Sequence, residues 1–252
     1  MEEIDNEILN EIQWTFPLVS RPFDEIAKKF NISSDEVKTR LTKMKRKGVL
    51  RQLSAIFDTR KLGYTSSLVA MEIEADKLEK IAYHINKHPG VSHNYEREHQ
   101  FNLWFTLAVP PGSDLETELE KFSKLDGIKK VRMLPTLQLF KIGVKLDMVD
   151  TKKHDVKPSE AKKEIKKVDF VATEEDKEFI RQLQKDFQII DRPFLKAATA
   201  LGISEEKIFE RLKHYESIGV MRRFAAILRH REAGFTANGM IVWKVPEDRI
   251  SQ

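Results

Sequence analysis

The N-terminal segment carries hydrophobic residues at the spacing of amphipathic helices. Ile4, Ile8, Leu9 and Ile12 fall on one face of a first predicted helix, because residues three and four positions apart are neighbours on a helix surface. Proline fits the first turn of a helix, so a second helix is predicted to begin at Pro22. The segment therefore begins as a helical unit with a buried apolar side.

The third predicted helix is bounded by capping signals. Ser33 or Ser34 can accept a hydrogen bond at its N-terminus, and Gly48 fits the left-handed conformation that ends many helices. Asn31 and Ile32 form the short turn that precedes it. Helix, short turn, helix and then a strand over 49–57 is typical of a winged helix-turn-helix, which we predict for residues 1–53.

After this unit the hydrophobic pattern changes: segments with strand-like alternation are followed by segments with helical spacing. The expected elements are a strand over 65–74, a helix over 75–88, a hairpin over 91–107, a helix over 115–125 and a strand over 131–146. This β-α-β-β-α-β order predicts a ferredoxin-like domain over residues 54–146, with helices on one sheet face and the other face available for pairing. The expected fold class is α+β.

An internal repeat divides the chain. Arg21-Pro22-Phe23 recurs as Arg192-Pro193-Phe194, which is an offset of 171 positions, and the same offset pairs Asp5 with Asp176. The match continues without a gap for roughly seventy positions, far more than chance pairing of helices would give. We therefore predict a duplicated fold: a charged linker over 147–173, a second winged helix-turn-helix over 174–224, and the start of a second ligand domain over 225–252. The second copy is expected to be truncated.

Composition narrows the function classes. The 252 residues are 40% hydrophobic, and 44 basic residues nearly balance 40 acidic ones, so the charge of +4 is too small for a protein that coats nucleic acid. Cysteine is absent, which excludes disulfides, thiolate metal sites and a cysteine nucleophile. No apolar run reaches the length of a membrane span. A cytoplasmic location without a membrane partner is expected.

Candidate chemistry concentrates in the hairpin over 91–107. Strand alternation places His93, Tyr95 and Arg97 on one face of its first strand. In its second strand Asn102, Trp104 and Thr106 alternate with an apolar row. A half-buried strand requires only one apolar row, so this second, polar and aromatic row favours a binding site over a purely structural hairpin.

Two sets of motifs resemble known families. A winged helix-turn-helix followed by a ferredoxin-like domain, with the segment Asp58-Thr-Arg-Lys-Leu-Gly-Tyr64, is similar to the Lrp/AsnC family of transcription regulators. The segment His93-Asn94-Tyr95-x-Arg97-x-His99-x-x-Asn102-Leu103-Trp104-Phe105 resembles the siroheme decarboxylases. So do 140–144, the Arg229-His230-Arg231 segment, and 234–243. In that family two related Lrp-like subunits are sometimes fused, which would account for the repeat.

The resemblance implies removal of acetate carboxyl groups from siroheme, giving 12,18-didecarboxysiroheme in alternative haem or haem d1 biosynthesis. Histidine, which titrates near neutrality, is a suitable proton donor, and arginine grips carboxylates by two parallel hydrogen bonds. The expected catalytic residues are His93, His99 and His230. The expected substrate-binding residues are Arg97, Tyr95, Asn94, Asn102, Trp104, Arg229 and Arg231. No separate cofactor or metal site is implied, because the iron belongs to the substrate, where His93, His99 or His230 could ligate it.

Two other function classes stay open. A DNA-binding regulator with a small-molecule effector would need its third helices at base edges, and these begin with acidic residues, Asp35-Glu36 and Glu205-Glu206. DNA is therefore not expected as a partner. A tetrapyrrole carrier would use the same site without turnover. The expected partners are siroheme or another iron tetrapyrrole, together with a homodimer or pseudo-symmetric pairing of the two copies.

Overall fold

The computed structural model describes residues 2–137, 148, 170–229, 231–234, 245, 246 and 249. Most of the predicted linker, the 140–144 motif, residues 235–243 of the 234–243 motif and His230 lie outside the described residues. In chain order the elements are α1 (Glu3–Ile12), α2 (Pro22–Phe30), α3 (Ser34–Arg46), β1 (Leu50–Phe57), β2 (Thr65–Ile73), α4 (Leu78–Asn86), β3 (Val91–Glu96), β4 (Leu103–Val109), α5 (Leu115–Ser123), β5 (Ile128–Pro135), α6 (Glu174–Leu183), α7 (Leu195–Leu201), α8 (Glu205–Ser217) and β6 (Met221–Leu228).

The two helix-turn-helix units form as predicted, with local caps that explain their boundaries. Ser33 caps α3 by accepting a hydrogen bond from the Glu36 backbone N–H at 3.1 Å. Ser204 does the same for α8 through the Lys207 backbone N–H. The chain leaves α3 through Gly48, whose φ of +77° is accessible to glycine at little cost.

The strand that follows each helix-turn-helix pairs with its counterpart in the other copy. β1 and β6 form an antiparallel two-stranded ribbon in which Ser54 lies opposite Ala225. These two residues are also related by the repeat offset, so a pseudo-twofold axis passes through this pair. The two copies therefore associate within one chain through this ribbon.

One hydrophobic core serves both helix-turn-helix units and the ribbon. Four phenylalanines lie at its centre, and each of them has at least one other ring centroid within 5.2 Å. They are Phe16, Phe187, Phe194 and Phe224. Fully burying each such side chain stabilises the fold by about 2–3 kcal/mol. The first and second copies therefore fold as one unit in this region.

The predicted ferredoxin-like domain is confirmed. Its strands form a four-stranded antiparallel sheet in the order β3-β4-β2-β5. Helices α4 and α5 cover one face, where Val69, Phe105 and Leu107 are fully buried. The predicted bounds of the last strand are wrong at its start: β5 begins at Ile128 instead of 131, and ends at Pro135. A register shift opposite Glu72 and Ile73 at its first residues obscures the alternation there.

Candidate active site on the open sheet face

The hairpin that carries the candidate residues contains a β-bulge. Ser92 pairs with Thr106 and Tyr95 pairs with Trp104, so β3 has one more residue than β4 between these pairs. His93 absorbs the extra residue with a φ of +52°, in the left-handed region. A bulge interrupts the two-residue period at that point, so alternation alone no longer places His93 on the same face as Tyr95.

Past the bulge, the predicted face forms. The Arg97 guanidinium lies 4.9 Å from the centroid of the Tyr95 ring, so these two side chains stack on one side of the sheet. Trp104 is the cross-strand neighbour of Tyr95 on that side. We call this side, which α4 and α5 do not cover, the open face. The structure thus brings Tyr95, Arg97 and Trp104 together.

Arg97 is the cation of this group, and no carboxylate among the described residues pairs with it. Its Nη1 donates only a long hydrogen bond of 3.4 Å to the Glu96 carbonyl, and its Nε is buried without a partner among the described residues. A buried donor left unpaired costs about 1–3 kcal/mol. An anionic group bound beside Tyr95 would remove this cost, which makes Arg97 a natural carboxylate-binding residue.

The two predicted asparagines already have partners within the chain. Asn102 hydrogen bonds both the N–H and the carbonyl of Ile73, at 2.9 and 2.8 Å, and so ties β4 to the end of β2. Asn94 donates to the Asn86 side chain of α4 at 2.9 Å, although its own Oδ1 is buried without a partner. Their contribution to the site is therefore to hold the hairpin against the rest of the domain.

The two hairpin histidines are both exposed, but their rings are held differently. The Nδ1 of His99 accepts a hydrogen bond from the Phe101 backbone N–H at 3.1 Å, and its ring stacks on Phe101. The neutral ring therefore carries its proton on Nε2, which is directed away from that bond. The Nδ1 of His93 lies 3.3 Å from the Ser92 hydroxyl. Both rings can give or accept a proton at the solvent side of the hairpin.

The predicted arginines of the second copy, Arg229 and Arg231, lie just after β6. Arg229 follows β6, and its backbone N–H donates to the Val49 carbonyl at the end of α3. Arg229 and Arg231 are exposed, and no hydrogen bond or ion pair between described residues joins them to the hairpin. The structure therefore does not bring these arginines to Tyr95 and Arg97.

The two ends of the ribbon are chemically different. Asp58, the repeat counterpart of Arg229, donates its backbone N–H to the Val220 carbonyl at 2.8 Å, and its carboxylate forms ion pairs with Arg60 and Arg222. Burial opposes its charge, but these arginines lower the pKa of the Asp58 carboxyl below its ordinary value. One end is thus a closed ion-pair cluster and the other an exposed arginine.

The candidate residues predicted from the sequence do not include a cation on the last strand, Arg132. Arg132 of β5 lies opposite Ala70 of β2, which in turn lies opposite Trp104, so all three side chains are on the open face. Only the pairing of β5 with β2 reveals this neighbour relation. Alternation within the predicted strand over 131–146 separates Arg132 from Val131 and Met133, but it does not show which strand lies beside it.

The described residues contain neither a metal-binding cluster nor a helix that could span a membrane. No group of three or more histidine, aspartate or glutamate side chains converges as a metal site there. No described helix has the length and apolar character that crossing a bilayer requires.

Comparisons with known proteins agree with this architecture. Residues 61–141 match the AsnC-like ligand binding domain, and residues 5–51 and 176–222 each match the siroheme decarboxylase NirDL-like HTH domain. A siroheme decarboxylase of Hydrogenobacter thermophilus is 41% identical over 98% of this chain and 73% of its own length. The chain belongs to the siroheme decarboxylase family.

Solved structures of this family are similar over most of the chain. The crystal structure of the siroheme decarboxylase NirDL in complex with an iron-uroporphyrin III analogue is 33% identical, with a TM-score of 0.70 over 99% of this chain and 71% of its own. A second NirDL crystal structure is 36% identical, with a TM-score of 0.68 over 90% of this chain and 65% of its own. The chain thus spans about two thirds to three quarters of the length of these family members.

Proposed function

We propose that this protein is a siroheme decarboxylase that removes acetate carboxyl groups from siroheme to give 12,18-didecarboxysiroheme. The observation that carries the proposal is the open face, where the Arg97 guanidinium stacks on the Tyr95 ring and the Arg97 Nε has no partner among the described residues. The chain that carries this face belongs to the siroheme decarboxylase family. Siroheme is a flat macrocycle rich in carboxylates. Aromatic side chains beside an arginine without a carboxylate match both of these properties.

The chemistry requires a held carboxylate and a proton. Arg97 holds an acetate group by its guanidinium, while Tyr95 and Trp104 border the macrocycle. The bond between the acetate methylene and its carboxylate breaks, carbon dioxide leaves, and the electron pair stays on the methylene carbon. A proton from His93 or His99 converts that carbon into a methyl group, so each event consumes one proton and releases one carbon dioxide.

His99 has the better-oriented ring of the two. Its ring is oriented by the Phe101 N–H and by stacking on Phe101, which leaves Nε2 for the substrate. Proton donation from His99 requires the imidazolium, in which Nδ1 carries a proton and gives up its hydrogen bond from the Phe101 N–H. His93 occupies the bulge, a position where sheets redirect side chains near functional sites. His230, Arg229 and Arg231 remain predicted contributors. They would act only at a surface that a further segment or a partner chain brings to the hairpin.

No separate cofactor is needed for this reaction, since the iron is part of the substrate. The internal pairing of the two copies supplies the pseudo-symmetric association that we expected, whereas a homodimer and a cytoplasmic location stay predictions.

The ion pairs of the third helices favour the enzyme over a DNA-binding regulator. Lys38 of α3 forms ion pairs with Asp35 and, across the copies, with Asp191. Arg40 of α3 is held by three carboxylates, those of Glu2, Asp5 and Glu36. Cations that already have carboxylate partners have little to offer phosphates. We infer that the helix-turn-helix units are used for association of the two copies.

The test is to add siroheme under anaerobic conditions and to follow the absorption spectrum and the mass of the tetrapyrrole. A mass that falls by one or two carbon dioxide units supports the proposal. Tight binding with unchanged mass would instead make the protein a tetrapyrrole carrier, and a salt-sensitive shift of a specific DNA fragment without turnover would favour the regulator. The assay should be repeated with the partner subunit of a two-subunit family member, in case the chain requires one.

A further inference from the structure

Arg132 is a cation on the open face that the proposed chemistry does not yet use. It is exposed, and no hydrogen bond or ion pair joins it to another described residue. The neighbouring cation on the same side of β5, Lys130, is 3.5 Å from the carboxylate of Glu72, its cross-strand partner. Among the described residues, Arg132 is therefore the open-face cation of β5 that has no carboxylate partner.

Cross-strand pairing places Arg132 at the end of a row that crosses the whole sheet. Tyr95 pairs with Trp104, Trp104 with Ala70, and Ala70 with Arg132. Adjacent strands lie about 4.8 Å apart, so Tyr95 and Arg132 are separated by about 14 Å at the backbone. This span is comparable with that of a tetrapyrrole together with its acid side chains.

In the middle of this row stands a short, apolar side chain, that of Ala70. Ala70 has a short side chain and is only 2% exposed, between the larger Trp104 and Arg132. In the next row Leu68 pairs with Leu134, whose side chain is 42% exposed although it is large and hydrophobic. An apolar strip with an unpaired arginine at each end is complementary to a flat macrocycle that carries carboxylates on its edges.

We propose that Arg132 is a substrate-binding residue that holds a carboxylate of the tetrapyrrole at the edge opposite to the one held by Arg97. The macrocycle then lies against Trp104, and Leu134 contacts its periphery. Two fixed guanidinium groups set the rotation of the ring and so decide which acetate reaches the histidines. This inference rests on the proposed function for the identity of the ligand.

A second copy of the chain is a poorer occupant of this face. A twofold interface presents the same patch to itself. It would bring Arg97, Lys130 and Arg132 against an equal set of cations, with Glu72 already engaged by Lys130 and by Gln100. Like charges brought together without carboxylates are costly to bury. A polyanionic ligand removes that cost.

The experiment compares two ligands and two variants in the full chain. Arg132→Gln removes the charge, and Lys129→Gln is the matched control, because Lys129 is an exposed cation on the same strand outside the row. Each protein is titrated by absorbance with iron uroporphyrin III, which carries acetates and propionates. The second ligand is haem, which has propionates but no acetates.

For Arg132→Gln we expect the Kd for iron uroporphyrin III to rise by about tenfold or more, the usual range for a lost charge-assisted hydrogen bond. The Kd for haem should rise less, and Lys129→Gln should match the wild type with both ligands. Equal affinities of Arg132→Gln and Lys129→Gln for iron uroporphyrin III would overturn the inference. So would a change in oligomeric mass caused by Arg132→Gln, measured by light scattering, because the face would then be an interface between copies.

The outcome is separable from that of the proposed function. If the wild type binds both porphyrins but leaves the mass of siroheme unchanged, the decarboxylase proposal fails while the affinities still decide the role of Arg132. If siroheme is converted and Arg132→Gln binds like the control, only the inference about Arg132 fails.

Discussion

Two arginines of the helix-turn-helix body, Arg40 and Arg211, and two of the open sheet face are in opposite states. In the body Arg40 meets Glu2, Asp5 and Glu36, and its repeat counterpart Arg211 meets Glu175 and Asp176. On the open face Arg97 and Arg132 have no carboxylate among the described residues. Carboxylates fix Arg40 and Arg211 within the fold, whereas Arg97, which is partly buried, and Arg132, which is exposed, can bind an anionic ligand.

The two copies also differ from each other within the body. Met44 of the first copy corresponds to Tyr215 of the second. The Tyr215 hydroxyl donates a hydrogen bond to the Asp176 carboxylate, which also pairs with Arg211. Burial of the Asp176 carboxyl disfavours its charge, but hydrogen bonds from Tyr215, Arg211 and Thr173 outweigh this and keep its pKa below the ordinary value. The second copy thus has the more extensive buried hydrogen-bond network around this aspartate, which is Asp176 in the second copy and Asp5 in the first.

The largest expected effect lies on the open face. Replacing a proton-donating histidine by alanine should lower the rate of decarboxylation by about a thousandfold, within the range of general acid catalysis, with siroheme affinity retained. We expect this of His99→Ala or His93→Ala, and neither should shift the thermal unfolding midpoint, because both side chains are exposed. The rate is measured in single-turnover assays by product mass.

His84→Ala is the matched control, since His84 is an exposed histidine on α4 outside the row. If both hairpin variants kept the wild-type rate, the proton donor would have to be another residue, and His230 would be the next residue to replace.

In the body the largest effect should be on stability. Asp176→Ala leaves Arg211 and Tyr215 partly buried without their shared partner, so the free energy of unfolding should fall by about 3 kcal/mol. Urea denaturation of the full chain measures it. Asp191→Ala is the control, because Asp191 forms its ion pairs with Arg21 and Lys38 at the surface, where such pairs contribute at most about 1 kcal/mol. Equal losses in the two variants would remove the distinction between buried and surface networks.

Acid should remove part of the same stabilisation. The pKa of Asp176 is lowered in the folded state, so the unfolded state binds more protons as the pH falls. Its contribution is fully present above about pH 5 and is lost progressively below about pH 4, the ordinary pKa of aspartate. The free energy of unfolding, measured by urea titration from pH 6 to about pH 3, should decline more steeply in the wild type than in Asp176→Ala. Parallel declines would assign the acid sensitivity to other carboxyl groups.

The smallest effect concerns the difference between the copies. Tyr215→Phe keeps the buried ring but removes the hydroxyl, so the free energy of unfolding should fall by about 1 kcal/mol. Burial and the neighbouring Asp176 raise the pKa of the Tyr215 hydroxyl, and the wild type should also lose stability as the pH rises above about 10. That alkaline loss should shrink in Tyr215→Phe. A variant as stable as the wild type at neutral pH would mean that the extra hydrogen bond contributes nothing.

Much of this fold was predictable from local sequence. The repeat, the helices and their caps, and the β-α-β-β-α-β order follow from spacing and capping residues such as Ser33 and Gly48, because these signals lie within a few positions of the structure they produce. The hairpin was also identifiable as the candidate site, since its polar and aromatic row exceeds what a half-buried strand needs.

Three features depended on contacts between distant parts of the chain. The bulge at His93 exists because β3 and β4 differ by one residue between two pairs, which only their register reveals. The pairing of Ser54 with Ala225 required both copies to fold around one core. Arg132 became a neighbour of Trp104 through Ala70 of a third strand. Local sequence determines which elements form and which residues they carry, whereas the neighbours of a side chain across strands are decided by tertiary pairing, because hydrogen-bond register joins residues that are far apart in the chain.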